Sequence, residues 1–154
     1  MNIGSNGKGV ASRLSNFTAR EFTFDGVLCK SMEGLLQSFK FEKEHIQVEV
    51  CKLIGFGAKK RGRGRNRTWQ TKQTLWWKGK PYKRKSKEYQ KLIRDAYDAL
   101  GTNEHFAKDL LSTQSATFTH SIGCNKESDT VLTEREFCNN LYRVRINLQI
   151  NKNS

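Results

Sequence analysis

The sequence predicts a mainly α-helical domain of the α+β class with a short β-hairpin near its N-terminus. Three observations carry that expectation. Apolar residues recur at helical spacing in several separate stretches, an Asp-Gly pair stands between apolar residues early in the chain, and residues able to cap helices precede the periodic runs. With 154 residues the chain has the length of one domain and can bury a core around a pocket.

The elements follow in order. Residues 1–12 are rich in Gly and Ser, and a flexible tail is expected there, ahead of a domain over 13–150. Phe22, Phe24, Val27 and Leu28 flank Asp25-Gly26, a pair that readily supplies the positive φ of a tight hairpin turn. Ser31 is placed to cap a helix whose Met32, Leu35, Leu36 and Phe39 form one apolar stripe. A second helix is expected over 45–54, with Ile46, Val50, Leu53 and Ile54 inward, ended by Gly55 and Gly57. Residues 58–79 break the pattern: Lys59, Lys60, Arg61, Arg63, Arg65 and Arg67 crowd around Gly62 and Gly64. Trp69, Trp76 and Trp77 come next, then Lys78, Lys80, Lys83, Arg84, Lys85 and Lys87, with Pro81 marking a loop between helical pieces. Ser86 to Leu100 reads as a helix with Tyr89, Leu92, Ile93 and Ala96 inward, and Asn103 caps another holding Phe106, Leu110 and Leu111. Thr133 and Glu136 form a capping box that opens the last helix, with Phe137, Leu141, Val144 and Leu148 on its inner side.

Composition narrows the function. The net charge of +13 points to an anionic partner or substrate, nucleic acid being the usual one. No apolar run reaches the roughly 18 residues that a membrane span needs, and the N-terminus lacks the apolar stretch of a secretory leader. No membrane partner and a cytoplasmic location are therefore expected, the host cytoplasm if the source is a phage. Cys29, Cys51, Cys124 and Cys138 form no C-x-x-C pair, and the three histidines complete no zinc pattern. Reduced thiols, no metal and no cofactor are the expectation.

Glu33, Gln37 and Lys40 stand at i, i+4 and i+7, on a second face of the first long helix beside its apolar stripe. Lining a cleft, they would bring a carboxylate, an amide and an amine to one small volume. A carboxylate suits cleavage of a glycosidic bond, which builds positive charge at the sugar carbon. A buried lysine of lowered pKa suits attack on a carbonyl carbon. The same spacing also describes an exposed, ion-paired stripe, and spacing alone does not separate the two. The Gly-Arg segment has the chemistry of a phosphate-binding loop, or of a mobile basic loop. The tryptophans offer a stacking platform for a base, with at least one expected in the core. Among the histidines, His120 in the polar run Thr119-His120-Ser121 is the site candidate.

The order of several short motifs says more. Leu14-Ser15-Asn16-Phe17, Phe22, Asp25-Gly26, then Ser31, Glu33, Gln37, Lys40 and Phe41, resembles the opening signature of the NADAR (NAD- and ADP-ribose-associated) family. Ala58-Lys59 with Gly62-Arg63, Trp69, Leu110 to Thr113, and Leu141 to Arg145 continue the resemblance, which covers about residues 14–150. It implies a single NADAR-like domain and an N-glycosidase activity. Members act on early riboflavin-pathway intermediates or remove ADP-ribose from guanine bases. By that resemblance Glu33 is the acid/base and Lys40 engages the opened ribose. Asn16, Gln37, Arg63 and Trp69 match pocket positions; Phe17 and Lys59, within the matched motifs, and His120, from its own polar run, are expected to contact substrate with them. The family's Trp-Gly pair before the last helix, and the Asn near that helix's start, are replaced by Ile122-Gly123, by Asp129-Thr130 and by Arg135.

A basic, Trp-rich insertion is expected near 76–89. It favours a bulky polyanion over a free metabolite, with Arg61, Arg65, Arg67, Lys78 and Lys80 on phosphates. The leading expectation is therefore release of ADP-ribose from a nucleobase, guanine in DNA. A phosphorylated ribosyl metabolite of riboflavin synthesis is the alternative substrate. A non-catalytic binder of ADP-ribose, NAD or nucleic acid is the third reading.

Overall fold

The computed structural model describes residues 1–153. A short helix, α1 (Val10–Arg13), precedes a hairpin of β1 (Phe22–Phe24) and β2 (Val27–Cys29). Phe22, Phe24, Val27 and Cys29 all face the core, and the turn at Asp25-Gly26 has positive φ at both residues. Next comes α2 (Met32–Ser38), whose residues are all buried. The Ser31 hydroxyl caps it by accepting the Gly34 N–H at 3.0 Å. Around α2 lie α3 (Glu44–Cys51), α4 (Gly55–Arg63) and α6 (Lys87–Leu100). Between α4 and α6 run α5 (Asn66–Lys72) and a second antiparallel hairpin, β3 (Thr74–Trp77) with β4 (Lys80–Lys83). The chain ends with α7 (Glu104–Ser112), a single 3-10 turn over Glu127–Asp129, and α8 (Glu134–Lys152).

Leu35, Phe39, Tyr89, Ile93, Tyr97, Leu110, Phe137 and Leu141 make one core joining α2, α6, α7 and α8. The expected caps hold: Asn103 accepts from Phe106 N–H at 2.9 Å, and the Thr133–Glu136 box is complete. Of the motifs that carried the resemblance, Thr113 and Arg145 meet each other. The Arg145 guanidinium donates to Thr113 Oγ1 and to the Ala116 carbonyl, both at 2.9 Å, and so locks α7 to α8. Among the described residues no helix is long and apolar enough to cross a membrane.

Three expectations are corrected. Residues 1–12 are not a free tail. Ile3 is buried, its N–H donates to the Thr119 carbonyl at 2.8 Å, and Asn2 pairs with Thr119 as an isolated parallel bridge. The Ile3 side chain and hydrogen bonds from Met1, Asn2 and Ile3 to residues 117–121 dock this Gly/Ser-rich run. The second helix stops at Cys51, which leaves Ile54 exposed, and Gly55 opens a helix instead of closing one. The Gly-Arg segment is thus helix, not loop. Gly62 serves packing: a Cβ there would lie 1.8 Å from Gln37 Oε1 and 2.8 Å from its Cδ, so any other residue displaces the Gln37 side chain. Last, Pro81 lies in a strand. It pairs opposite Trp76 on the solvent side of a hairpin, where a missing N–H is tolerated.

Candidate active site

A cavity of about 520 Å³ opens between α2, α4, α5 and the loops before α8. That is a volume suited to a small-molecule or cofactor-sized ligand. Asn16, Phe17, Glu33, Gln37, Lys40, Lys59, Arg63, Trp69 and His120 all line it. The face of α2 is therefore no exposed stripe: Glu33, Gln37 and Lys40 are 9%, 5% and 6% exposed.

Each is held by its local structure. The Glu33 N–H donates to the Asn16 carbonyl at 3.0 Å, which ties the first loop to the start of α2. Asn16 in turn accepts from the buried Tyr97 hydroxyl at 2.9 Å. The Gln37 amide donates to Glu33 Oε1 at 2.8 Å, one helical turn away. Its other atom, Oε1, faces Gly62 and has no hydrogen-bond partner. Lys40 lies just beyond the helix, and its ammonium donates to Asn66 Oδ1 at 2.5 Å.

Burial dominates the electrostatics. It pushes the Glu33 carboxyl above its ordinary range, against the Gln37 hydrogen bond and the positive field of Lys40, Lys59 and His120. Burial also pulls Lys40 down to about 8; Glu33 opposes that shift and Lys59 adds to it. Both groups are thereby moved toward their neutral forms. An acid poised to give a proton and an amine able to lose one share a single cavity.

The basic residues line the wall and the surface beyond it. Lys59 sits 6.0 Å from the Phe17 ring and Arg63 lies 5.5 Å from Phe56, while Arg61 and Arg65 lie 4.8 and 5.9 Å from Phe41. Rings beneath the charges restrict them without neutralising them. Arg61, Arg65 and Arg67 stand on or beside α4 and α5 but outside the cavity lining. Lys78 and Lys80 belong to the tip of the second hairpin. Lys78 is engaged there: its N–H donates to Gln47 Oε1 at 3.1 Å, and its ammonium pairs with the Asp25 carboxylate at 3.5 Å. Lys80 lies over the Tyr82 ring. Trp77 is the core tryptophan, packed on Phe24 and Phe39 with its indole N–H on Asp25 Oδ2. Trp69 is buried at the cavity, and its indole N–H has no partner.

Sequence reasoning missed Asn66, which sits between two arginines and shows no periodic signal. The far wall is built from Ile122 to Cys124 and Asp129 to Leu132, together with Ser5 and Asn6, which sequence reasoning did not reach. That wall contains Ile122-Gly123 and Asp129-Thr130, the two places where the family pattern is not followed. It is assembled by contacts distant in sequence. The His120 Nδ1 lies 2.6 Å from the Ile3 carbonyl, and Gln73 donates to the Ser128 carbonyl at 3.0 Å. All four cysteines are free thiols, and Cys124 is exposed at the cavity.

A family model described as Bacteriophage protein GP30.3 matches residues 8–146. A 17.1 kDa protein from the Gp30–rIII intergenic region of Enterobacteria phage T4 is 34% identical over 151 residues, covering 96% of this chain and 98% of its own. The NMR structure of the E. coli protein YbiA superposes with a TM-score of 0.66 at 19% identity, over 99% of this chain and 86% of that one. YbiA is a NADAR-family protein, and the fold is accordingly NADAR-like.

Proposed function

The chain belongs to the Bacteriophage protein GP30.3 family, and on that premise we propose that it is an N-glycosidase that removes ADP-ribose from a nucleobase, guanine in DNA. The observation that carries this reading is the pairing of Glu33 and Lys40, both buried and both shifted toward neutrality, in one ligand-sized cavity. With a pKa of about 8, roughly one Lys40 in ten is a free amine at pH 7, against a few in ten thousand for an ordinary lysine. Only the free amine is a nucleophile.

The chemistry proceeds on the sugar carbon that bears the base. The ring opens as the C1–O4′ bond breaks, its electron pair going to O4′, which takes the Glu33 proton; the Lys40 amine then adds to C1 and returns the proton it sheds to Glu33. The C1–N bond to the base then breaks, with Glu33 delivering the proton that the departing base requires. Water adds to the resulting lysine imine and releases the sugar. The net change is one water consumed, base–H and ribose hydroxyl formed. Lys59 and Arg63, on the cavity wall, face the diphosphate. Arg61, Arg65, Arg67 and Lys80 meet the phosphates of the strand; Lys78 is held against Asp25 of the first hairpin.

The test is release of ADP-ribose from an ADP-ribosylated oligonucleotide. Wild type releases it and Glu33→Gln does not; equal release by both, or none by either, removes the reading. Faster Glu33-dependent turnover of a phosphorylated ribosyl-pyrimidine would keep the chemistry and reassign the substrate. Tight ADP-ribose binding without release of either product would make the protein a binder.

A further inference from the structure

The second hairpin carries a feature that the cavity does not use. Cross-strand pairing sets Thr74 opposite Lys83 and Trp76 opposite Pro81, so these four share one face. Leu75 and Trp77 alternate onto the other face and are buried in the core. Trp76 has its backbone fixed from both sides. Its N–H donates to the Phe39 carbonyl at 2.8 Å, and its carbonyl accepts from the Gln47 amide at 2.9 Å. Its ring is left half-buried, with no aromatic or cationic partner and no acceptor for its indole N–H among the described residues.

A groove of about 550 Å³ lies on this face, lined by Lys72, Thr74, Trp76, Pro81 and Lys83. No acidic residue lines it. Lys83 reaches only the Thr74 hydroxyl at 3.3 Å, and Lys72 makes no ion pair. An anchored aromatic plate flanked by two unneutralised amines has the chemistry that single-stranded nucleic acid recognises: stacking for the base, charge for the phosphates on either side.

The position of the groove adds to this. Asn66 and Trp69 of α5 line the catalytic cavity, and Lys72, the last residue of that helix, lines the groove. Lys72 lies six positions along the helix from Asn66, a rise of about 9 Å. At the roughly 3.4 Å per phosphate of one DNA strand, that is two to three nucleotides, fewer when the strand is extended.

We propose that the outer face of the β3–β4 hairpin is a subsite for an unpaired base, stacked on Trp76 and held by Lys72 and Lys83, close along the strand to the nucleotide in the cavity. The subsite rests on the reading of a nucleic-acid substrate. It explains why a strongly basic tryptophan-containing hairpin stands beside a cavity that is already complete without it.

Binding of the purified full chain to a short fluorescent oligothymidylate tests it. Trp76→Ala weakens binding on the order of five- to a hundredfold, the range for losing one base stack, and Trp76→Phe restores most of it. The double variant Lys72→Ala with Lys83→Ala lowers the salt slope by about 1.4, at roughly 0.7 per phosphate on a single strand. On a fully paired duplex Trp76→Ala binds as wild type. Wild-type-like binding of the oligothymidylate by Trp76→Ala, an equal defect on duplex, or no binding by wild type would overturn the subsite. Turnover of an ADP-ribosylated mononucleoside separates the two readings: Trp76→Ala keeps it and Glu33→Gln loses it. Its loss in Trp76→Ala would show that the side chain acts through the fold and not on the strand.

Discussion

Two of the buried cations in this molecule, Arg84 and Lys40, are treated in opposite ways. Arg84 is fully buried and fully answered. Its guanidinium donates to both Glu136 oxygens at 3.1 and 2.6 Å and to the Thr130 carbonyl at 2.7 Å, and it lies 5.0 Å from the Tyr89 ring. Burial alone would raise the Glu136 carboxyl; the hydrogen bonds from Arg84, Gln90 and Thr133 outweigh it and hold the group below its usual value. Lys40 is nearly as buried and meets one neutral oxygen, that of Asn66. Its nearest opposite charge, Glu33, is itself raised by burial. A satisfied buried charge stabilises a fold. An unsatisfied one stores reactivity, because each group gains by moving toward its neutral form.

The contrast can be broken from either side. The largest effect is expected at the acid. Glu33→Gln should lower turnover of an ADP-ribosylated oligonucleotide by about 10²–10⁴-fold, the usual contribution of a general acid, while the melting temperature stays at or above that of wild type. A loss of stability in step with activity would show that Glu33 belongs with Arg84. Arg84→Met is the mirror image. It leaves Glu136 buried without its cation and should cost about 3–5 kcal/mol in denaturant unfolding, with the folded fraction keeping its kcat.

Lys40→Met sharpens the comparison through pH. The folded-state pKa of Lys40, about 8, lies below the unfolded value, so between the two the unfolded chain binds more protons. The penalty for burying charged Lys40 is therefore full below about pH 8 and is relieved as pH rises toward the ordinary lysine value. Relative to Lys40→Met, wild type should gain on the order of 3 kcal/mol over that window. A stability difference that does not change with pH there would contradict the assignment. The smallest effect is expected from Asn66→Asp, which places a carboxylate on the Lys40 amine. The lysine should titrate about one unit higher by NMR, and the alkaline rise in activity should move with it.

The two regions also differ in how far the sequence announced them. The capping box at Thr133 and Glu136 is readable because it is local, and so are the stripe on α2 and the Asp25-Gly26 turn. The near wall of the cavity was legible for another reason: eight residues in one motif order, with His120 from its own polar run, line one cavity. Four other features were hidden. The Gly-Arg run is helical, with Gly62 packed on Gln37, a contact between elements that no propensity encodes. The second hairpin was masked by charge, although Lys78-Gly79, both at positive φ, is its turn. Ile3 gave no periodic signal and yet anchors the loop that carries His120. Arg84 read as one more member of a basic stretch, and only its partner 52 residues away makes it structural.

The close approach at Gly62 has one more consequence. Gln37 touches Glu33 with its amide nitrogen and the backbone of α4 with its carbonyl oxygen. One side chain thus orients the acid and spaces the helix that carries Lys59 and Arg63. The width of the cleft and the strength of its acid are not separate variables. A methyl group added at position 62 would act as a wedge, displacing the cationic wall and turning the carboxyl in a single movement. Under the proposed function, substrate selection and proton delivery should therefore drift together, and a variant that accepts a larger ligand through this joint should also show an altered acidic limb in its pH profile.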